Sequence, residues 1–292
     1  MTKPQAFIEV IKTGPGTKIR DIGRKNYAEF GVPPSGPLDP KAVFWINHLL
    51  KNKEEDAVLE INQPGLKLQF HDSAIICLAG AKAEITINGK TTYSSGLQII
   101  PEGSLLEVGK FELGSILYLG IQNGFQTPIR LGSRSYSLGI TEKEFVKAGD
   151  TLPFIKQPTI IDYLSNSRVK WNQDYLKQEK IRAYPGPEFD LLRESQQEQL
   201  RTSYFSISNL KNGMAVQLEE LVPNELGSIY TAPVFPGTVQ LTHGGKLICL
   251  LSDAQVTGGY PRVLQIHEDD LGVLAQKKPK EKIQFQLIED FL

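Results

Sequence analysis

Residues 21–24, Asp-Ile-Gly-Arg, set a carboxylate and a guanidinium on either side of a glycine, a concentration of chemistry-bearing groups that no simple packing need explains. They lie in the stretch RDIGRKNYAEFGVPPSGPLD at 20–39, where charged groups and rigid turns are crowded together. Proline locks φ and glycine permits positive φ, so residues 31–37 are expected to hold one shape and to display Asp21, Arg24, Ser35 and Asp39. A second cluster, Leu-Gly-Ser-Arg-Ser at 131–135, combines small residues that leave backbone N–H groups accessible with the guanidinium of Arg134, which would suit a carboxylate or phosphate. The third, LSDAQVTGGYPR at 251–262, follows an apolar run. In it Asp253, Gln255 and Thr257 supply directional hydrogen bonds, and Gly258 and Gly259 let backbone approach a ligand beside Tyr260. On these residues alone each cluster also has a plainer reading: a proline-rich connection, a surface turn with an exposed arginine, and a β-turn.

The elements that must position these groups are short and β-rich. Residues 6–11, 57–61, 74–79, 115–121, 246–251 and 283–288 are apolar or alternating, mostly bounded by glycine, proline or asparagine. Asn88-Gly89 predicts a type I′ hairpin between AEITI and KTTY. Asp39 is an N-cap with Pro40 at the first helical position, and Ala42, Trp45, Ile46 and Leu49 recur at helical spacing up to Lys51. A second helix is expected over 188–199, after Pro185-Gly186-Pro187. The pattern is mainly β with small covering helices, as in barrels or sandwiches.

A chain of 292 residues exceeds what one core usually supports, so two domains are expected, and with 40% hydrophobic residues it can fill both. An ungapped match of PGLKLQFHDSAIICL, from Pro64, to PGTVQLTHGGKLICL, from Pro236, suggests two copies of one β-domain. The expected division is an N-terminal barrel at 1–160, a polar linker at 161–180 and a C-terminal barrel at 181–292.

Several function classes fall away. A formal charge of -1 offers no field to draw nucleic acid or an anionic membrane. There is no phosphate-binding P-loop, no GxGxxG opening a βαβ unit, no GxSxG elbow and no HExxH. His48, His71, His243 and His267 lack metal-ligand spacing, so no metal site is expected. Cys77 and Cys249 sit in apolar runs, which suits buried thiols in a reducing cytosol better than a disulfide framework. No apolar run reaches a membrane span, and a soluble cytoplasmic protein is expected. Met1 and Met214 are the only methionines, so a Met-Lys-Met biotin-attachment motif is absent and any biotin must be carried elsewhere.

Through DIGR, GVPPSG, Asp39, the helix bearing Asn47, Leu59-Glu60-Ile61, LGSRS, Gly149-Asp150, Pro185-Gly186-Pro187, TGGYP and Ala275-Gln276, nearly the whole chain resembles the carboxyltransferase-domain family. That family contains the C component of 5-oxoprolinase and the second component of allophanate hydrolase. The resemblance implies two cyclophilin-like β-barrel domains. It also implies an enzyme subunit that acts with partner 5-oxoprolinase subunits B and A (KipI-like and LamB/YcsF-like) to open 5-oxo-L-proline to L-glutamate at the expense of ATP, the nucleotide being held here or on a partner. Alternatives carried with it are biotin-dependent carboxyl transfer of the urea amidolyase type and regulatory binding to a sensor-kinase inhibitor related to the KipI-like partner. By this resemblance Asp21, Arg24 and Asp253 are the catalytic candidates, Arg24 and Arg134 holding an anion while Asp21 or Asp253 orients or moves a proton. Ser35, Asp39, Ser135, Gln240, Gln255, Thr257, Gly258, Gly259 and Tyr260 join Arg134 as substrate-binding candidates. The chain departs from the family pattern at Arg20, where glutamine is usual and an amide-recognising group is lost, and at Leu210-Lys211, where Asp-Arg is usual.

Overall fold

The computed structural model describes residues 5–156 and 171–288, and its chain divides into two compact units, Met1–Arg24 with Ser35–Gln173 and Lys25–Pro34 with Asp174–Leu292. The expected linker at 161–180 lies outside the described residues as far as 170; beyond that, Asp174–Lys177 forms a 3-10 turn and a strand starts at Lys180. Among the described residues the architecture is mainly β with three α-helices, as the alternating runs predict.

The first unit is built on a nine-stranded curled sheet. Its strands are β1 (Gln5–Lys12), β2 (Lys18–Arg20), β3 (Val58–Ile61), β4 (Lys67–Phe70), β5 (Ala74–Ile87), β6 (Lys90–Thr92), β7 (Gly96–Ile100), β8 (Leu105–Ile121) and β9 (Thr151–Ile155). The main path runs β2-β3-β8-β4-β1-β9, and β5 pairs with β8, β6 and β7. Strands β5 and β8 run well past the expected 74–79 and 115–121. Register shifts near Gly80 let the long pair bend, so that one end of β8 serves β4 and the other β3. In β1, Ala6, Ile8 and Val10 alternate inward and join Leu68, Phe70, Leu117, Leu119 and Phe154 in one apolar core. The Asn88-Gly89 hairpin forms as predicted, with φ of 51° and 75° joining Ile87 to Lys90. Helix α1 (Pro40–Leu49) starts where its cap demands, since the Asp39 carboxylate accepts from the Ala42 amide at 3.1 Å.

The second unit is a closed barrel in the order β10-β17-β14-β15-β12-β11-β18. It comprises β10 (Lys180–Pro185), β11 (Phe205–Lys211), β12 (Ala215–Leu218), β14 (Thr238–Leu241), β15 (Leu247–Leu250), β17 (Arg262–Ile266) and β18 (Lys282–Leu287), with β13 (Ala232–Pro233) and β16 (Thr257–Gly258) forming a separate ribbon. The parallel pairing of β10 with β18 shuts the barrel. Ile181, Ile207, Val216, Val239, Cys249, Ile266 and the tilted pair Phe205 and Phe285 fill its interior. Helix α2 (Glu194–Thr202) begins later than the expected 188, because Leu192 and Arg193 are extended and the Gln196 side chain accepts from the Arg193 amide to cap the helix there. Helix α3 is Glu268–Gln276.

Both cysteines are free and buried, and burial pushes each thiol up to about 12. The two matched segments share their turn, with Gly65 and Gly237 at φ of 98° and 92°, but not their pairing. Strands β14 and β15 form a hairpin with each other, whereas β4 pairs with β1 and β8.

Lys211, at the departure from the family pattern, is structural. Its Nζ donates to the carbonyls of Ala275 and Lys277 at 2.5 Å each and so closes the C-terminus of α3. Burial, opposed by the nearby charge of Glu281, brings its pKa down to about 7, and burial likewise lowers that of Lys277. Between pH 7 and the ordinary lysine range the unfolded chain therefore holds a proton that the folded chain has released. Stability should rise with pH across this window, by at most about 1.4 kcal/mol per pH unit from Lys211. Urea titrations from pH 7 to 10 should show that slope flattened in Lys211→Met; an unchanged slope would remove Lys211 as its source.

Candidate functional site

In the first unit the site is organised by Asp21, immediately after β2. Its Oδ1 accepts from the Gly23 amide at 2.9 Å, Ser133 Oγ at 2.5 Å and Ser135 Oγ at 2.8 Å, and its Oδ2 accepts from the Arg134 amide at 2.5 Å. The Asp21 amide donates to Ser135 Oγ at 2.9 Å, and Arg24 Nη2 donates to the Ser135 carbonyl at 2.8 Å. The DIGR segment thus clamps the 133–135 segment from more than a hundred residues away. Asp21, with both oxygens occupied, is a positioning residue in this geometry.

That clamp holds a turn that would not be stable by itself. Leu131 and Gly132 occupy the left-handed region, with φ of 51° and 76°, between the bridged residues Arg130 and Ser133. Leucine is costly there and persists only where its surroundings enforce it. Asp21→Asn should turn an N–H towards the Arg134 amide, costing roughly 2–3 kcal/mol. Denaturant unfolding and faster tryptic cleavage after Arg130 and Arg134 would register the loosened turn; wild-type stability and cleavage would show that Asp21 does not hold it.

Three of the amides that the composition of this turn suggests for an anion cradle are already used. The amides of Ser133, Arg134 and Ser135 are consumed by the Arg130 carbonyl, Asp21 Oδ2 and Ser133 Oγ respectively. The Arg134 guanidinium is held by the Thr127 carbonyl and by Gln126 Oε1. Asp21, Arg24, Ser35 and Asp39 are not displayed either: all four are buried, and each makes a hydrogen bond within the unit. Ser35 adopts φ of 52° and donates to Ser137 Oγ at 3.1 Å.

Arg20 is not displayed on the surface. It is fully buried, with Nε donating to Glu60 Oε1 at 3.2 Å and Nη1 to the Ser35 carbonyl at 3.0 Å. Glu60 Oε2 also accepts from Tyr118 Oη at 2.7 Å and the Leu38 amide at 3.0 Å, while Tyr118 Oη accepts from the Asp39 amide at 2.9 Å. Burial, reinforced by the Glu60 and Asp39 charges, drives the Tyr118 pKa well up and keeps it a donor to Glu60. This network fixes residues 35–39.

In the second unit Gln240 is the informative residue. It is buried at 2% exposure, a register shift between Val239 and Gln240 interrupts the β14–β17 ladder, and Nε2 has no hydrogen-bond partner among the described residues. A Cβ at Gly258 would lie 2.4 Å from that Nε2, so glycine is what admits the amide. Thr257 and Gly258 pair with Pro233 and Ala232, and the Gly259 carbonyl accepts from the Ile229 amide at 2.9 Å. Tyr260 lies edge-on to His243 at 6.4 Å. The Asp253 amide donates to the Gly213 carbonyl, and Gln255 is exposed. Sequence reasoning missed Ser228 and the role of His243: Ser228 Oγ lies 3.1 Å from His243 Nε2. No local signal marks that pair.

The described candidates therefore form two sets, Asp21, Arg24, Ser35, Asp39, Arg134 and Ser135 in the first unit and Gln240, Asp253, Gln255, Thr257, Gly258, Gly259 and Tyr260 in the second. The family model for the carboxyltransferase domain, subdomains A and B, matches residues 30–287. The chain is 30% identical over 285 residues to the C component of 5-oxoprolinase from Escherichia coli (strain K12), covering 96% of this chain and 90% of that protein. It is 34% identical over 163 residues to urea amidolyase of Lachancea kluyveri, covering 54% of this chain and 9% of that one. The crystal structure of the K. lactis urea amidolyase superposes with a TM-score of 0.84 at 26% identity, over 98% of this chain and 19% of that chain. With a family match spanning both units and a relative of this similarity along almost its full length, the chain belongs to the carboxyltransferase-domain family.

Proposed function

We propose that this chain is the C component of an ATP-dependent 5-oxoprolinase, which with the KipI-like and LamB/YcsF-like partners opens 5-oxo-L-proline to L-glutamate. The observation that carries the reading is the 30% identity to a protein of that name over 96% of this chain. Gln240 supports it chemically. A buried amide N–H with no acceptor among the described residues is complementary to a ligand carbonyl, and a lactam presents one. Because the amides of residues 133–135 are already spent, this turn does not suit a phosphate, and the proposal assigns ATP to a partner.

The test is to purify the chain with both partners and follow glutamate release from 5-oxoproline and ATP. Release that disappears when this chain is omitted is the expected result. No glutamate from the complete set, with no binding of 5-oxoproline, would overturn the proposal in favour of regulatory binding. The match to urea amidolyase favours a second reading, carboxyl transfer from biotin on a partner. Carboxylation of urea in place of glutamate release would select it.

A further inference from the structure

Ser228 and His243 stand in the arrangement of a nucleophile and its base. His243 Nδ1 lies 2.8 Å from the Leu226 carbonyl, which can only accept, so Nδ1 carries the proton. In the neutral ring Nε2 is then an acceptor, and Ser228 Oγ is 3.1 Å from it. A nucleophilic hydroxyl, a base within hydrogen-bond reach and a third group that orients the base are the parts such a site requires.

The surroundings hold these parts in place. Asn224 ties its own loop to the Thr242 carbonyl at 3.0 Å and accepts from the Leu226 amide at 3.1 Å, which sets the carbonyl that orients His243. The Ile229 amide, next to Ser228, is bound to Gly259, and the Tyr260 ring stands edge-on to the imidazole. Ser228 and His243 are both exposed, so a reactant can reach them.

We propose that Ser228 is a base-assisted nucleophile that accepts the acyl group of activated carboxylic esters. Ser228 Oγ attacks the ester carbonyl carbon as its proton passes to His243 Nε2. The carbon–oxygen bond to the leaving alcohol then breaks, Nε2 returns the proton to that oxygen, and the acyl group remains as an ester on Ser228. Water, deprotonated by the same Nε2, releases the carboxylic acid and restores the hydroxyl. The orienting group is a neutral carbonyl, so the base is less strongly polarised than one backed by a carboxylate. This activity stands on the pair alone and does not depend on the 5-oxoprolinase reading.

The test treats the full chain with p-nitrophenyl acetate, follows nitrophenolate release, and maps the acetyl group by peptide mass spectrometry. Acetylation of Ser228 is expected, absent in Ser228→Ala and slowed at least about tenfold in His243→Gln, less than the roughly 100- to 10,000-fold of a strongly polarised general base because the orienting carbonyl is neutral. Both side chains are exposed, and circular dichroism establishes that the variants are folded. Acetyl groups spread over lysines and tyrosines with none on Ser228, or Ser228 acetylated at an unchanged rate in His243→Gln, would overturn the proposal.

Discussion

Glu60→Ala should cost about 3–5 kcal/mol of folding stability, a fifth or more of the roughly 5–15 kcal/mol a typical domain possesses. The substitution strands the Arg20 guanidinium in a place where both side chains have no solvent exposure, and it also removes the acceptor of Tyr118 Oη and the Leu38 amide. Arg20→Met with Glu60→Leu removes the stranded charge and should recover part of the loss, as replaced buried ion pairs often do. Recovery should stay incomplete, since Tyr118 and Leu38 still lack their acceptor. Urea denaturation of the single and double variants measures both effects. A Glu60→Ala protein within about 1 kcal/mol of wild type would show that the network does not carry this load. The functional consequence follows from geometry: the network sets residues 35–39, so its loss should disorder the start of α1 and the Ser35 to Ser137 contact together.

Gln240→Met should uncouple stability from function. Methionine fills much the same volume without the amide, so removing a buried donor that lacks a partner among the described residues should leave stability unchanged or raise it by about 1 kcal/mol. The assembled enzyme should nonetheless lose roughly 10- to 100-fold in kcat/KM for 5-oxoproline, the value of one hydrogen bond to a buried ligand carbonyl. Gly258→Ala should give the same functional loss by a different route, because its Cβ would meet Gln240 Nε2 at 2.4 Å and displace the amide. A structural role for Gln240 predicts the opposite pattern, a lower melting temperature with kcat/KM retained. Thermal unfolding and steady-state kinetics on the same preparations separate the two.

What was legible in the sequence is what neighbouring residues decide among themselves. Asp39-Pro40 starts α1, Asn88-Gly89 turns a hairpin, and the inward residues of β1 follow from its alternation, because caps, turn torsions and strand period depend on a few adjacent positions. The family, and with it the mainly β architecture, was legible for a similar reason, since its motifs are short and stand in a fixed order. Only the tertiary structure decided what the same motifs do. Asp21 reads as a displayed acid but is consumed by residues 133–135, and Arg20 reads as a lost recognition group but is matched to Glu60. The matched segments at Pro64 and Pro236 share a turn yet pair their strands differently. Gln240 was a candidate only through the family resemblance, with nothing local to show that its amide is left unspent, and the Ser228 to His243 pair carries no local mark at all. In each case the partner is set by strand register and loop packing over long sequence separations, and a side chain's chemistry depends on whether that partner satisfies it or leaves it unspent.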